Sequence, residues 1–400
     1  MTMRIGTATL AQLGISSMLD QQALIAKTQQ QISSGNKDAS AADNPADFAS
    51  AMGYDSALAQ LASFGKNADI VTNRLGLEDN ALSSVNDTLQ RIRDLAVQAN
   101  NATQDDTSRA SIVAELKQRY QELVDAANSG DGQGRYLFGG VNDSTPPFTV
   151  GGSGVSYSGG VASRRIAISA ATNIADSNDG NEVFMSVTTG NGVFAARAGA
   201  GNTGTALLSQ ASLVDGSQWD GGTYSINFTS PTSYEVRDSS NALVTSGTYT
   251  AGQAITFKGV SVTLDGTAAT GDQFSVAPGS STDMFSIVQN LITTLSAPTT
   301  GAVSETTRHN AIYGSLEDLD RSLDHVVSLR ASVGSRMNEA QDAKAAQSSL
   351  SNQLSQALTS VRDTDLTKAA SDLQLHMITL QAAQQAFVKV QGLSLFNYIR

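Results

Sequence analysis

Hydrophobic residues repeat every seven positions near both ends of the chain, and this repeat is absent from the middle. In the N-terminal repeat, between 61 and 99, the first heptad position and the position three residues later are apolar except at Glu78. Near the other end the same step recurs at Leu366, Leu373, Leu380 and Phe387. A sustained heptad repeat places one apolar stripe along a helix, and that stripe has to be buried against another helix. Both ends are therefore predicted to be helices that associate.

Turn signals divide the N-terminal part into three predicted helices. The first covers 1–34 and stops before Gly35. The second runs from about Phe48 to Asn100, which gives a length of about 80 Å at about 1.5 Å per residue. The third has Thr107 as its expected N-cap and ends at Asn128-Ser129-Gly130. After it, residues 135–140 are predicted to form a short strand that leaves the helical bundle.

The composition changes sharply from about Ser144 to Pro278, where the chain is rich in Gly, Ser and Thr. Short alternating runs such as 224–228 and 260–264, separated by turn residues, favour an antiparallel β domain. Helical periodicity returns at Met284, and a second heptad repeat follows. Its first positions are Ile312, Leu319, Val326, Val333 and Ala340.

These elements predict a mainly α protein with an inserted β domain, in which both termini contribute to one long antiparallel helical bundle or coiled-coil rod. The rod helices at 54–128 and 305–361 are expected to bury each other inside one chain. The predicted domains are terminal helices at 1–45 plus 362–400, a helical rod at 46–143 plus 280–361, and a β-rich outer domain at 144–279.

The terminal helices are predicted to form an assembly interface instead. Their apolar stripes are diluted by Gln, Ser, Thr and Ala, so they bury too little area to offset the cost of ordering the chain. We expect them to be poorly ordered in the free monomer and to fold on assembly with neighbouring subunits. The predicted interface residues are the apolar positions of both stripes: Leu10, Leu13, Leu24, Ile32, Leu366, Leu373, Leu380, Phe387, Val390, Leu395 and Phe396.

Composition argues against several other functions. The net charge of −12 disfavours nucleic acid and anionic membranes. No Cys is present, which excludes disulfides and thiolate chemistry, and the N-terminus lacks the unbroken apolar segment of a secretory signal. The dinucleotide pattern at Gly199, Gly201 and Gly204 lies in a Gly/Ser/Thr-rich stretch without a βαβ unit and is expected to be a surface loop. We expect no enzyme activity, no metal and no cofactor.

Both helical limbs resemble the flagellin superfamily of bacterial flagellar axial proteins. The resemblance rests on QQQISSG at 29–35, ADNP at 42–45, LQRIRDLAVQA at 89–99 and SLRASVGSRMN at 328–338. Three details resemble the members that join hook to filament more than flagellin itself. They are YLFGG at 136–140, GDQFSVAP at 271–278, and the Phe- and Tyr-containing end of the chain after Leu380.

The resemblance implies a structural role at the hook–filament junction of the extracellular flagellum, after export by the flagellar type III apparatus. It also implies the partners: hook-associated protein 1, flagellin, further copies of the chain in a ring or helix, and an export chaperone. Two alternatives stay open. One is a filament subunit, and the other is an adhesive β domain on a helical stalk, which requires an exposed aromatic cluster at Trp219, Tyr224 and Tyr234.

Overall fold

The computed structural model describes residues 7–398 apart from 39, 102–104 and 153; the side chains of 7, 8, 10 and 390–398 lie outside the described set. The chain divides into two compact units. Unit 1 contains the chain ends, up to Lys66 and from Lys344 onward, and unit 2 is Asn67–Ala343.

Helices and strands follow the predicted order. The helices are α1 (Thr7–Ser34), α2 (Pro45–Ala99), α3 (Asp106–Ala127), α4 (Gly180–Phe184), α5 (Met284–Ser296), α6 (Ala302–Arg362) and α7 (Leu366–Tyr398). The strands are β1 (Phe148–Gly151), β2 (Gly154–Tyr157), β3 (Arg165–Ala167), β4 (Asn173–Ala175), β5 (Val187–Thr188), β6 (Phe194–Ala198), β7 (Leu207–Leu213), β8 (Tyr224–Ser230), β9 (Ser233–Asp238), β10 (Leu243–Thr248), β11 (Ala254–Phe257), β12 (Val260–Asp265), β13 (Gln273–Pro278) and β14 (Ser281–Thr282).

The two heptad repeats meet in the core of unit 2. The apolar heptad positions from Leu75 to Ala99 on α2 are fully buried, and so are the first heptad positions from Ile312 to Ala340 on α6. Two ion pairs between α2 and α6 show that these helices run antiparallel. Arg93 Nε lies 2.6 Å from Asp320 Oδ1, and Arg330 Nε lies 2.9 Å from Asp79 Oδ1. The predicted burial of these repeats within one chain is confirmed for unit 2, and a mainly α fold with an inserted β region is confirmed as well.

The β-rich region is divided between two hydrophobic cores. Its first part, β1–β5 with α4, joins the helical core, where Phe148 and Phe184 contact Phe285 at ring-centroid distances of 5.4 and 5.7 Å. Its second part, β6–β13, encloses a core of its own. There the strands form a five-stranded sheet in the order β10-β9-β8-β13-β6 and a three-stranded sheet in the order β11-β12-β7, with all pairs antiparallel.

Two local predictions are wrong. The N-cap of α3 is Asp105, not Thr107, because the Asp105 carboxylate accepts a hydrogen bond from Ser108 N at 2.7 Å and so starts the helix earlier. Residues 135–140 do not form a strand that leaves the bundle. The segment turns back at Gly140, whose φ is +60°, and buries Phe138 in the helical core.

A buried polar network ties α2 to the segment before α4. Arg74 is 6% exposed and pairs with Asp131 and Asp143 at 3.0 and 3.4 Å. One turn later, Glu78 is fully buried and accepts a hydrogen bond from the backbone N–H of Asn178 at 2.9 Å, while its second carboxylate oxygen has no partner. Burial raises the pKa of Glu78 to about 7, against the opposing effect of this hydrogen bond.

Candidate assembly interface

The candidate interface is the helix pair α1–α7 in unit 1. The helices run antiparallel, because Gly14 faces Phe387 and Gln21 Nε2 lies 2.8 Å from His376 Nδ1. Gly14 allows a close approach there, since a Cβ atom at this position would lie 3.0 Å from the Phe387 ring. The pair brings together residues that lie about 350 positions apart in the sequence, as the 355-residue separation of Gln21 and His376 shows.

Backbone hydrogen bonds close the other end of the pair. Lys37 N donates to Arg362 O at 2.7 Å, and Thr364 N donates to Gly35 O at 2.9 Å. Gly35 has a φ of +73°, which ends α1 and turns the chain toward this contact. The carboxylate of Asp365 accepts hydrogen bonds from the first turn of α7, as expected for a carboxylate at a helix start.

Two ion pairs hold the connection between α1 and α2. Lys27 Nζ lies 3.1 Å from Asp43 Oδ1, and Lys37 Nζ lies 3.0 Å from Asp47 Oδ2. The hydrogen bond from Lys27 is the main cause of a lowered pKa for Asp43, and the hydrogen bond with Asp47 raises the pKa of Lys37. All four groups are at least partly solvated, so these pairs set the local geometry and contribute little stability.

The predicted interface residues fall into three groups. Ile32, Leu373, Leu380 and Phe387 are half-buried, and Phe387 contacts α1 at Gly14. Three others are exposed: Leu13 by 58%, Leu24 by 44% and Leu366 by 56%. The side chains of the remaining predicted residues lie outside the described set: Leu10, Val390, Leu395 and Phe396.

Sequence reasoning missed a second group of exposed apolar residues, which we call the outer apolar set. On α1 it comprises Ile15 and Leu19, and on α7 it comprises Leu375, Met377 and Ile378. Each is between 47% and 60% exposed. None of them occupies a heptad position. The signal was present in the sequence, because α7 carries apolar residues on more than one face, and a helix that is apolar on several faces is normally buried on several sides.

The Gly-rich loop at 199–204 lacks the strand–helix context that a dinucleotide fingerprint requires. It follows strand β6 and precedes strand β7, so no helix begins directly after it in the chain. The backbone N–H groups of Thr203 and Gly204 donate instead to the carboxylate of Asp272, which is 1% exposed. Throughout the described part of the chain, no group of three or more His, Asp or Glu side chains is placed to bind a metal ion. The described helices include none that is long and apolar enough to cross a bilayer.

The aromatic residues required by the adhesin alternative lie in the β core. Tyr224 is 4% exposed, donates to Asp220 at 2.6 Å and contacts Trp219 at a centroid distance of 5.9 Å. Burial, with the Asp220 hydrogen bond second, raises the pKa of Tyr224 to about 12. Trp219 and Tyr234 are partly buried against the same core. These three residues therefore do not form the exposed aromatic cluster that this alternative needs.

Comparison with protein families separates the two helical limbs from the middle of the chain. Residues 5–143 match the bacterial flagellin N-terminal helical region, and residues 316–399 match the bacterial flagellin C-terminal helical region. Between them, residues 198–278 match the D2-like domain of flagellar hook-associated protein 1. This last match falls on the β domain that has its own core.

One relative extends the similarity over nearly the whole chain, and two solved structures extend it over about three quarters. Flagellar hook-associated protein 3 of Escherichia coli K12 is 23% identical over 396 residues, which cover 99% of each chain. The crystal structure of FlgL from Xanthomonas campestris is 37% identical, covers 76% of this chain and 99% of that one, and has a TM-score of 0.72. The flagellar junction protein FlgL from Legionella pneumophila is 26% identical over 78% of this chain and 99% of its own, with a TM-score of 0.71. The chain therefore belongs to the flagellar hook-associated protein 3 (FlgL) family of the bacterial flagellin superfamily.

Proposed function

We propose that the protein is the structural adaptor that joins the flagellar hook to the flagellin filament. The observation that carries this function is the similarity to flagellar hook-associated protein 3 along the full chain, where flagellin family models match only the helical ends. The match of the middle domain to a hook-associated protein also favours the junction over the filament. The protein is a component of the flagellum and acts there as a building block, without catalysis.

The partners of the adaptor and its export route are also part of this proposal. Hook-associated protein 1 contacts the adaptor on the hook side, flagellin contacts it on the filament side, and further copies complete a ring or helical turn. The chain is exported by the flagellar type III apparatus, with a chaperone on the C-terminal helix. Helical assemblies of this kind require head-to-tail contacts, in which two different surfaces of each copy meet.

We propose that α1 and α7 supply the contacts between copies. The outer apolar set supports this assignment, because several large apolar side chains on two paired helices remain about half exposed. The half-buried heptad positions such as Leu373 and Phe387 then hold α1 and α7 together, and the outer apolar set contacts the neighbouring subunit. The domain that assembles is expected to comprise residues 1–45 and 362–400.

Deletion of the gene tests the adaptor function. The expected result is cells with bare hooks, seen by electron microscopy, and flagellin monomers in the culture medium. Bare hooks with no flagellin in the medium would identify the chain as the filament subunit instead. Normal filaments would contradict both assignments.

Substitution of Ile378 by Asp tests the interface. Ile378 is 57% exposed, so the monomer is expected to keep its melting temperature while filament attachment is lost, because a carboxylate replaces an apolar contact between subunits. The matched control is Ser371→Asp, an exposed polar position on the same helix. Equal filament counts for the two variants would contradict the role of the outer apolar set.

The free monomer offers a second test of the same assembly domain. We expect weak amide-exchange protection of Leu373–Phe387 in the monomer and strong protection in isolated flagella, because the pair buries few side chains completely. Strong protection before assembly would contradict folding on assembly.

A further inference from the structure

Two buried arginines lie at the end of unit 2 where α5 finishes and α3 and α6 begin. Arg109, on α3, is 4% exposed, and Arg308, on α6, is 7% exposed. Both guanidinium groups donate to the same acceptor, the hydroxyl oxygen of Thr299 in the loop between α5 and α6. Two positive charges thus converge on one neutral side chain.

Arg308 has no direct ion-pair partner among the described residues, and Glu305 and Asp106 favour its charge only from a distance. Arg109 has an ion-pair partner in Asp106, whose side chain is 66% exposed. Within the described ranges, the hydroxyl of Thr299 is the one hydrogen-bond acceptor that Arg308 contacts, no carboxylate lies at ion-pair distance from it, and its buried Nε has no acceptor. Burial and the proximity of Arg109 lower the pKa of Arg308. An arginine remains charged nonetheless, so this arrangement costs free energy unless an anion joins it.

Arg308 lines a surface groove with a volume of about 690 Å³. The groove also contains the first residues of α6, Ala302 to Ser304, where backbone N–H groups lack helical partners and the helix dipole favours negative charge. Its other walls are small residues such as Gly301 and Thr307. The groove is therefore wide enough for a protein segment and provides positive charge at its buried side.

We propose that this groove binds a carboxylate side chain from a neighbouring copy of this chain. The inference rests on the proposed function, because head-to-tail assembly brings one end of each copy against another copy. A second copy carries suitable groups in excess, with 37 Asp and Glu against 25 Lys and Arg. The planar guanidinium of Arg308 matches a carboxylate in two-point geometry, and a carboxylate there completes its hydrogen bonds.

Sulfate, which matches the same guanidinium geometry, tests the site on the purified full-length chain. The melting temperature is measured in sodium sulfate and in sodium chloride at equal ionic strength, for the native protein and for Arg308→Gln. Sulfate is expected to bind the variant about tenfold more weakly, since a charge-assisted hydrogen bond is lost. The control, Arg321→Gln on the same helix, replaces an arginine that pairs with Asp324 and should keep the native response.

The melting temperatures in chloride distinguish a binding role of Arg308 from a structural one. In chloride, Arg308→Gln is expected to melt at the native temperature or above it, because a buried charge without a direct ion-pair partner is removed. A melting temperature several degrees lower would assign Arg308 a structural role and overturn the proposal. An unchanged sulfate response in Arg308→Gln would overturn the site itself.

Photo-crosslinking in intact flagella identifies the occupant. A photoreactive residue at Thr307, which is exposed and lines the groove, is expected to give a homodimer of this chain, and Arg308→Gln should reduce that product about tenfold. A photoreactive residue at exposed Glu339, outside the groove, is the control. Crosslinks to flagellin or to hook-associated protein 1, or sulfate binding without a homodimer, would overturn the assignment to a second copy. Failure of the adaptor function is distinct, because it is read from the deletion strain and leaves the sulfate result unaffected.

Discussion

Replacement of Glu78 by Gln is expected to stabilise the protein above neutral pH and to leave it nearly unchanged below pH 4.5. Glu78 is fully buried on α2, and its backbone partner, the N–H of Asn178, is retained by the Gln side-chain oxygen. The substitution therefore removes a titrating group with little change in shape. The substitution also removes the electrostatic attraction between Arg336 and the ionised carboxylate of Glu78.

The magnitude follows from the pKa of Glu78, which burial raises from 4.5 to about 7. Between these values the unfolded chain releases a proton that the folded chain keeps, so the free energy of unfolding falls as pH rises. At about 1.4 kcal/mol per pKa unit, the loss amounts to about 3 kcal/mol and is complete just above pH 7. The stabilising contribution is thus fully present below pH 4.5 and lost as pH passes the folded-state pKa.

Urea unfolding followed by far-UV circular dichroism, at several pH values from 4.5 to 8.5, measures this contribution. Native protein and Glu78→Gln should converge at the acidic end and separate by about 3 kcal/mol at the basic end. The matched control is Glu339→Gln, an exposed glutamate on α6. Parallel pH profiles for native protein and Glu78→Gln would refute the reasoning, and so would a less stable variant at pH 8.

Three further predictions concern the β region and the turn that precedes it. Deletion of Phe194–Pro278 should preserve the helical core and its circular dichroism, because the flanking residues Val193 and Gly279 already share a backbone hydrogen bond of 3.0 Å. Deletion of 145–278 should instead unfold unit 2, because it removes aromatic residues of the helical core. Asp272→Asn should destabilise the β core by about 2 kcal/mol, read from Trp fluorescence in urea, because backbone N–H groups lose a buried, charged acceptor. Asp265→Asn, at an exposed position, should not destabilise it. Gly140→Ala should lower the melting temperature by several degrees, because its Cβ would lie 2.2 Å from a backbone oxygen at a φ of +60°.

The heptad repeats were sufficient to predict the helical core. A seven-residue period leaves one stripe per helix, and the chain has two such stripes of matching length on opposite sides of the insertion, so their mutual burial in unit 2 follows. The prediction of the paired rod therefore depended only on local periodicity and on the order of the elements. The same reasoning placed the start of α5 at Met284 correctly.

The division of the β region could not be predicted in the same way. Phe148 on β1 and Phe184 on α4 both lie in the predicted β-rich stretch, and they join the helical core because Phe285 of α5 lies within reach after folding. A contact between residues more than 100 positions apart leaves no trace in the seven-residue or two-residue periodicity of either segment. The expected N-cap of α3, Thr107, was wrong for a local reason, because the carboxylate of Asp105 accepts the hydrogen bond from Ser108 N and starts the helix earlier.

The residues of the proposed interface were only partly predictable for a related reason. A heptad rule selects one stripe, and on α7 that stripe, with Leu373 and Leu380, is half-buried. The apolar residues left over, such as Leu375 and Ile378, are the ones that remain exposed. If α7 contacts α1 in its own chain and a neighbouring subunit as well, the heptad stripe corresponds to the contact within the chain. The exposed apolar residues outside that stripe then correspond to the contact between subunits.

The proposed assembly through α1 and α7 would gain its free energy from side chains that the monomer leaves exposed. In unit 2, Leu75, Leu82 and Leu89 are completely buried, so neighbouring subunits can add nothing at these positions. In unit 1 the outer apolar set and Leu13 are six side chains that are each about half exposed. Burying the exposed half of one such side chain contributes about 1 kcal/mol, so the group supplies about 6 kcal/mol per subunit before the cost of ordering the helices. That sum is of the same order as the stability of a whole domain, which is why the order of the chain ends should depend on assembly while that of unit 2 does not.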